Sequence, residues 1–182
     1  MENLKFKINS EGTVYLTISA ILTIILFPFF PIIGIIFLIF TLIIIIFFRD
    51  PIRIVPIDDM ILSPADGVIT SIIETTAPKE CEIKKKFNKV SIFLNIFNVH
   101  INRIPTYGKV INIKYIYGKF ISATLNKSSE NNERNIIVIE KNNSDIIVLT
   151  QIAGLIARRI VCDLKNNEDL IQGERFGMIK FG

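Results

Sequence analysis

Between Gly12 and Phe48 the chain carries no charged side chain. The apolar core of this run, Val14–Phe48, is 35 residues long. As one straight helix it would extend roughly 52 Å at ~1.5 Å per residue, well beyond a hydrocarbon core of ~30 Å. Pro28 and Pro31, three residues apart, break the run instead. The two arms, Val14–Phe27 and Ile32–Phe48, have 14 and 17 residues, each a little short of an ideal span. A helical hairpin dipping into the bilayer fits them best. Lys5 and Lys7 precede the run and Arg49 and Arg53 follow it, so both ends are expected on the cytoplasmic side of the cell membrane. A cleaved secretory leader is the competing reading. The length of the run and the lack of a small-residue site before Arg49 speak against it.

At Arg49-Asp50-Pro51 the composition changes abruptly. Pro51 and Pro56 keep the next residues extended, which divides the chain into an anchoring hairpin at 1–48, a linker at 49–60 and a β-rich domain at 61–182. Short Ile/Val-rich runs predict strands at Val68–Ile73, Val90–Leu94, Val99–Arg103, Lys109–Tyr117, Asn135–Glu140, Ile146–Ile152, Arg159–Leu164 and Phe176–Phe181. Lys141-Asn142-Asn143-Ser144-Asp145 supplies a hairpin turn between two runs apolar enough to be buried on both faces. Asn126–Arg134 is polar and reads as a surface loop. The fold class is mainly β, a compact barrel or sandwich preceded by the hydrophobic helical hairpin.

The net charge of +4 suits an anionic membrane surface. No basic stripe with interleaved aromatics marks a nucleic-acid partner. Cys81 and Cys162 form no paired motif and read as free thiols of a reducing compartment, with a bridge between them the alternative. With one histidine and two isolated cysteines, no metal site is expected.

Three positions could carry chemistry. Asp66 lies in Ser63-Pro64-Ala65-Asp66-Gly67, which is also ordinary turn chemistry. His100 is the single histidine; on a strand it would share a face with Asn98 and Asn102. The chain stops on Gly182 directly after an apolar strand, which reads either as a terminal strand or as a cut end. Together they suggest a relay in which a carboxylate orients an imidazole that takes a proton from a nucleophile. The nucleophile is not evident among the residues present.

Six stretches, in order, carry a resemblance: Phe47-Phe48-Arg49-Asp50-Pro51, Ser63-Pro64-Ala65-Asp66-Gly67-Val68, Phe97-Asn98-Val99-His100-Ile101-Asn102-Arg103, Asn131-Asn132-Glu133-Arg134-Asn135, Gln151–Arg159 and Gly173–Gly182. Taken together they resemble the short, membrane-anchored form of phosphatidylserine decarboxylase. The resemblance implies a precursor that cuts itself between a glycine and a serine. This chain would be the β chain ending at the cleavage site Gly182, and the serine would follow it. That serine would become a covalent pyruvoyl group on a short α chain from the same precursor. His100 would remove the serine proton and Asp66 would hold the imidazole. The ketone would then condense with the amine of phosphatidylserine and accept the electrons released as CO2 leaves, giving phosphatidylethanolamine. This chain alone would be inactive. Whether one αβ pair acts alone or several assemble as a homo-oligomer is left open by the resemblance.

Longer members of the family carry a second histidine where this chain has Phe97, so the resemblance leaves the proton donor to the decarboxylated carbon open. Arg134, Arg158 and Arg159 are candidates to bind the headgroup phosphate. Lys84-Lys85-Lys86 reads as a solvated loop or membrane-surface contact. Two other functions compete. A non-enzymatic membrane-anchored adaptor or carrier module would leave Asp66, His100 and Gly182 without a role. A decarboxylase of an ether lipid with the same serine headgroup would use the same residues.

Overall fold

The structure is a computed structural model that describes residues 7–56, 60–122 and 128–182, with the backbone alone at 128 and 129. Lys5, part of the expected linker and the start of the expected polar loop lie outside the described residues. The chain divides into two compact units, Met1–Ile54 with Leu94–His100, and Val55–Phe93 with Ile101–Gly182.

In the first unit, β1 (Lys7–Ile8) leads through a short 3-10 turn into α1 (Thr13–Phe29), α2 (Pro31–Phe47) and β2 (Arg49–Asp50). The apolar run is a helical hairpin, as expected, but its break falls at Phe30 rather than across both prolines. Pro28 stays inside the last turn of α1, where its missing N–H removes a single bond. Pro31 opens α2, a position at which no N–H partner is needed. β1 pairs antiparallel with β2, Lys7 opposite Asp50 and Ile8 opposite Arg49, so the two ends of the hairpin meet.

Small and hydroxylated side chains fill the seam between the helices. Ser19, Gly34 and Thr41 are buried, and a side chain at Gly34 would collide with the Phe27 backbone. The Thr23 and Thr41 hydroxyls lie 3.3 Å apart. Each also bonds a carbonyl one turn earlier, Ser19 O at 2.8 Å and Phe37 O at 2.8 Å. Such seams let helix backbones approach closely where no hydrophobic drive joins them. The large side chains point away, with Phe29 75% and Ile32 76% exposed. Ser10–Phe29, 20 residues with mean hydropathy 1.9, is long and apolar enough to cross a membrane; Pro31–Phe47 is apolar but shorter.

The second unit is mainly β and curls into a half-barrel. Its elements are β3 (Val68–Thr76), β4 (Lys86–Phe93), β5 (Ile101–Arg103), β6 (Gly108–Ile116), α3 (Ser128–Asn131), β7 (Arg134–Glu140), β8 (Ile146–Ile152), β9 (Ala157–Cys162), β10 (Asp169–Leu170) and β11 (Arg175–Phe181). They form sheets ordered β10-β6-β7-β8 and β5-β11-β9, with β3 and β4 as a separate hairpin. β7 is an interior strand of the first sheet, and Asn135 to Ile139 are all buried. Ile104, Val110, Ile137, Ile139, Leu170 and Phe176 build the core around it. The predicted turn at 141–145 forms, with the Lys141 N–H donating to Asp145 O at 2.8 Å and Ser144 at φ 66°.

Three details differ from the sequence reading. β8 is half-buried rather than buried on both faces, because it pairs with β7 alone and forms an edge of its sheet. The polar loop carries the short helix α3. His100 lies just before β5 instead of within a strand, since the chain is still leaving a turn at Asn95–Asn98.

A polar chain also runs through the second unit. Asn135 Nδ2 donates to Gln151 Oε1 at 3.0 Å, and Gln151 Nε2 donates to Asn102 Oδ1 at 2.9 Å. With both ends satisfied, burial of these amides costs little.

Candidate functional site

In the first unit, His100 is held by a self-braced loop. The Asn98 N–H donates to Asn95 O at 2.9 Å. The Asn95 N–H donates to Asn98 Oδ1, and the Phe97 N–H to Asn95 Oδ1, each at 2.9 Å. Arg49 ties this loop to the hairpin, donating to Ile46 O at 2.6 Å and to Phe97 O at 2.8 Å. A cation there also suits the carbonyl end of α2.

The His100 ring stacks on Phe47 at 4.0 Å between centroids and is 3% exposed. Its Nδ1 lies 3.0 Å from Asn98 O. A carbonyl can only accept, so Nδ1 carries the proton and Nε2 keeps its lone pair. Burial lowers the imidazole pKa to about 4, against the Asn98 bond, which raises it; the Arg49 charge lowers it further. At neutral pH the ring is therefore an uncharged base of defined tautomer.

Asp66 belongs to the second unit and is exposed after the turn at Ser63–Ala65, where the Ser63 hydroxyl donates to Ala65 O at 2.7 Å.

Gly182, Arg158 and Arg159 come together. They line a cavity of about 470 Å³ with Tyr115, Tyr117, Phe120, Glu133 and Ile160. Adjacent residues on a strand normally face opposite sides, yet both arginines reach this space. The register explains it: Lys180 is opposite Arg159, but Phe181 is opposite Ala157, leaving Arg158 as the extra residue of a bulge. Arg158 Nε donates to Leu155 O at 2.9 Å, and its guanidinium lies 5.7 Å from the Phe120 ring centre. A side chain at Gly182 would meet the Arg159 stem where it now lies, so one of the two would have to move. At the other end of the motif, Gly173 has φ 82°, a left-handed conformation that favours glycine.

Across the cavity, the Tyr115 hydroxyl donates to Glu133 Oε1 in a short bond. Burial and that bond push the Tyr115 pKa up to about 12. Backbone bonds fix Glu133 on both sides, its N–H donating to Lys119 O at 3.0 Å and its carbonyl accepting from Ala153 N at 2.9 Å.

Arg134 does not line this cavity. It pairs with Glu80 at 2.6 Å and donates to Glu130 O at 2.6 Å, so it braces the loop instead. Tyr115, Tyr117, Phe120 and Glu133 escaped the sequence reading as site residues. Glu133 stands in a quoted motif, and Tyr115 and Tyr117 share a strand face by their spacing of two. Only the fold brings them opposite the arginines. Cys81 and Cys162 are both free thiols.

A sequence profile described as phosphatidylserine decarboxylase matches residues 40–182. The chain is 51% identical over 182 residues to the phosphatidylserine decarboxylase proenzyme of Ehrlichia ruminantium (strain Welgevonden), covering 99% of this chain and 79% of that protein. Similarity to the protein of the same name from Wolbachia sp. subsp. Brugia malayi (strain TRS) is 48% over 178 residues, covering 96% and 77%. For the one from Pelagibacter ubique (strain HTCC1062) it is 46% over 184 residues, covering 100% and 86%.

Proposed function

This chain belongs to the phosphatidylserine decarboxylase family of enzymes, and from that premise we propose that it is the β chain of a self-cleaved, pyruvoyl-dependent enzyme. Its substrate is phosphatidylserine, which it converts to phosphatidylethanolamine and CO2 together with a short α chain. Cleavage follows Gly182. Its carbonyl is attacked by the hydroxyl of the next residue, a serine, and the ester that forms is eliminated to leave Gly182 with a free carboxylate. His100 takes the hydroxyl proton, a role supported by its neutral ring, whose own proton sits on Nδ1. Asp66 steadies the imidazolium charge that develops.

The single observation that carries this reading is Gly182 standing in a cavity lined by two arginines. An arginine guanidinium suits phosphate and carboxylate through paired N–H bonds. Arg158 and Arg159 therefore hold the anionic groups of the headgroup beside the residue next to Gly182. With no side chain at Gly182, nothing on that residue blocks attack on its carbonyl. These features fit a pyruvoyl group at the start of the partner chain, which would supply the electron sink for decarboxylation.

The hairpin anchors the enzyme to the cell membrane with both ends on the cytoplasmic side. Its outward apolar side chains and the pairing of β1 with β2 support this reading.

The test is the uncut precursor. His100→Ala should slow production of the chain ending at Gly182 by roughly 10²–10⁴-fold, the usual worth of general-base assistance. Asp66→Asn should slow it less. Normal processing of the His100 variant would remove this histidine from the mechanism.

A further inference from the structure

The hairpin of β3 and β4 stands apart from the other sheets. Among the described residues, each of its strands has the other as its single strand partner. A two-stranded hairpin is marginal by itself in water, and its outer edges offer a row of N–H and C=O groups to a further strand. The register makes this isolation costlier. Ile72 is opposite Val90 and Ile69 opposite Ile92, with Thr70 as the extra residue of a bulge between them. Ile69, Ile72 and Val90 therefore share one face, and Val68 and Ile73 stand on the other. All five are exposed, Ile72 at 66% and Val68 at 61%. A strand pair that is apolar on both faces belongs inside a layered structure rather than at its surface.

Resting on the reading that cleavage follows Gly182, we propose that this hairpin is the docking surface of the short α chain, which adds a strand to an edge and covers both faces with apolar side chains. The surroundings of Gly182 favour this occupant. Tyr115 and Glu133 line the Gly182 cavity. Their neighbours in sequence, Lys114 and Arg134, both hold the turn that joins β3 to β4. Lys114 Nζ reaches Glu80 O at 3.5 Å, and Arg134 pairs with Glu80 at 2.6 Å. A partner chain that starts beside Gly182 therefore begins near the turn of the hairpin. The chain spans 79% and 77% of two of its proenzyme relatives, so about a fifth of each lies outside the match. That is room for several strands of ~5–6 residues.

Two other occupants fit less well. Lipid would suit the side chains but leave the edge N–H and C=O groups without partners, which hydrocarbon does not tolerate. A second copy related by a two-fold axis would present the same face and edge to itself and leave the opposite face in water. A strand added from a partner chain meets both demands, because it brings the hydrogen-bond ladder and the packing side chains together.

The experiment uses the two-chain enzyme made from the intact gene and kept in its membrane. A photo-crosslinking benzoylphenylalanine replaces Ile72 on one face, Ile73 on the other or, as a control, Asn142 on the exposed turn after β7. Irradiation should join the β chain to the α chain from the Ile72 and Ile73 positions and not from the Asn142 position. Joining of two β chains, or of the β chain to lipid, in place of the α chain would overturn the proposal. Release of the α chain by urea in detergent reads the same contact. Ile72→Lys should lower the urea concentration that strips the α chain away, and Asn142→Lys should leave it unchanged. Equal release from the wild type and the Ile72 variant would also overturn the proposal. If Ile72→Lys does not assemble, the crosslinks still decide. A purified protein without any short chain would sink the two-chain reading itself. A short chain that is present but never joined from Ile72 or Ile73 would contradict the docking surface alone.

Discussion

The two units use the same aliphatic residues in opposite ways. In the hairpin, Ile24 is 71% exposed, and the buried seam is made of Ser19, Gly34 and Thr41. In the β-rich unit, Ile137 and Ile139 are fully buried, and polar Asn135, Gln151 and Asn102 are sealed in among the strands. An outward-facing apolar surface with small residues inside suits lipid. An inward-facing one with satisfied amides suits water. The hairpin unit nevertheless does more than present apolar surface, because Phe47 and Arg49 also enclose and fix His100. The β-rich unit supplies the cavity at Gly182. The hairpin unit therefore holds the histidine, while the β-rich unit holds the arginine-lined cavity.

The largest effect should come from removing the hairpin. A precursor starting at Arg49 should leave the membrane pellet, whereas the full-length protein should resist alkaline carbonate. If the full-length protein washes off, the contrast between lipid-built and water-built units fails.

Next in size is a substitution in the β-rich core. Ile137→Ala should cost about 2–5 kcal/mol of stability and leave the His100 titration unchanged, as read by denaturant unfolding and by NMR of the ring. A shifted His100 pKa in that variant would mean that the two units are not independent in this respect.

The third effect is pH dependence. His100 binds its proton more weakly folded, with pKa about 4, than unfolded, near 6.5. Between those values the unfolded state holds more protons, so stability rises with pH through the window and is fully present above 6.5. Acidifying from 6.5 to 4 should cost on the order of 3 kcal/mol from this group. Phe47→Ala, by opening the ring to water, should raise the pKa and shrink that loss. A pKa that stays near 4 in this variant would break the link between the hairpin and the base.

The smallest effect belongs to the Arg134–Glu80 pair. Glu80 is held below the usual carboxylate range, chiefly by a backbone hydrogen bond and further by Arg134, against burial. Its contribution is present at neutral pH and is lost as pH falls below about 4.5 toward that depressed value. Glu80→Gln should cost about 1 kcal/mol or less. It should not change headgroup binding if Arg134 is a brace.

Much of this was legible from residue patterns. A charge-free run with two prolines can hardly be anything but a bent apolar helix pair, and Ile/Val runs between turn residues specify strands. The exact break at Phe30 was not legible, because either proline could have ended a helix. Asp66, His100 and Gly182 stood out by type and motif. The environment of His100 did not, since Phe47 and Arg49 reach it from about 50 positions earlier in the chain. The cavity was hidden for a related reason. It depends on a β-bulge that turns Arg158 and Arg159 to one side, and alternation along a strand predicts the opposite.

The central claim is a two-chain enzyme whose reactive ketone lies outside this chain. Its direct test is borohydride reduction, with phosphatidylserine present, of the protein purified from the intact precursor, followed by mass spectrometry. The account predicts two chains, one ending at Gly182 and unlabelled, the other short and carrying the lipid amine at its N-terminus. Lipid label on a lysine of residues 1–182, or decarboxylation by this chain purified alone, would contradict it.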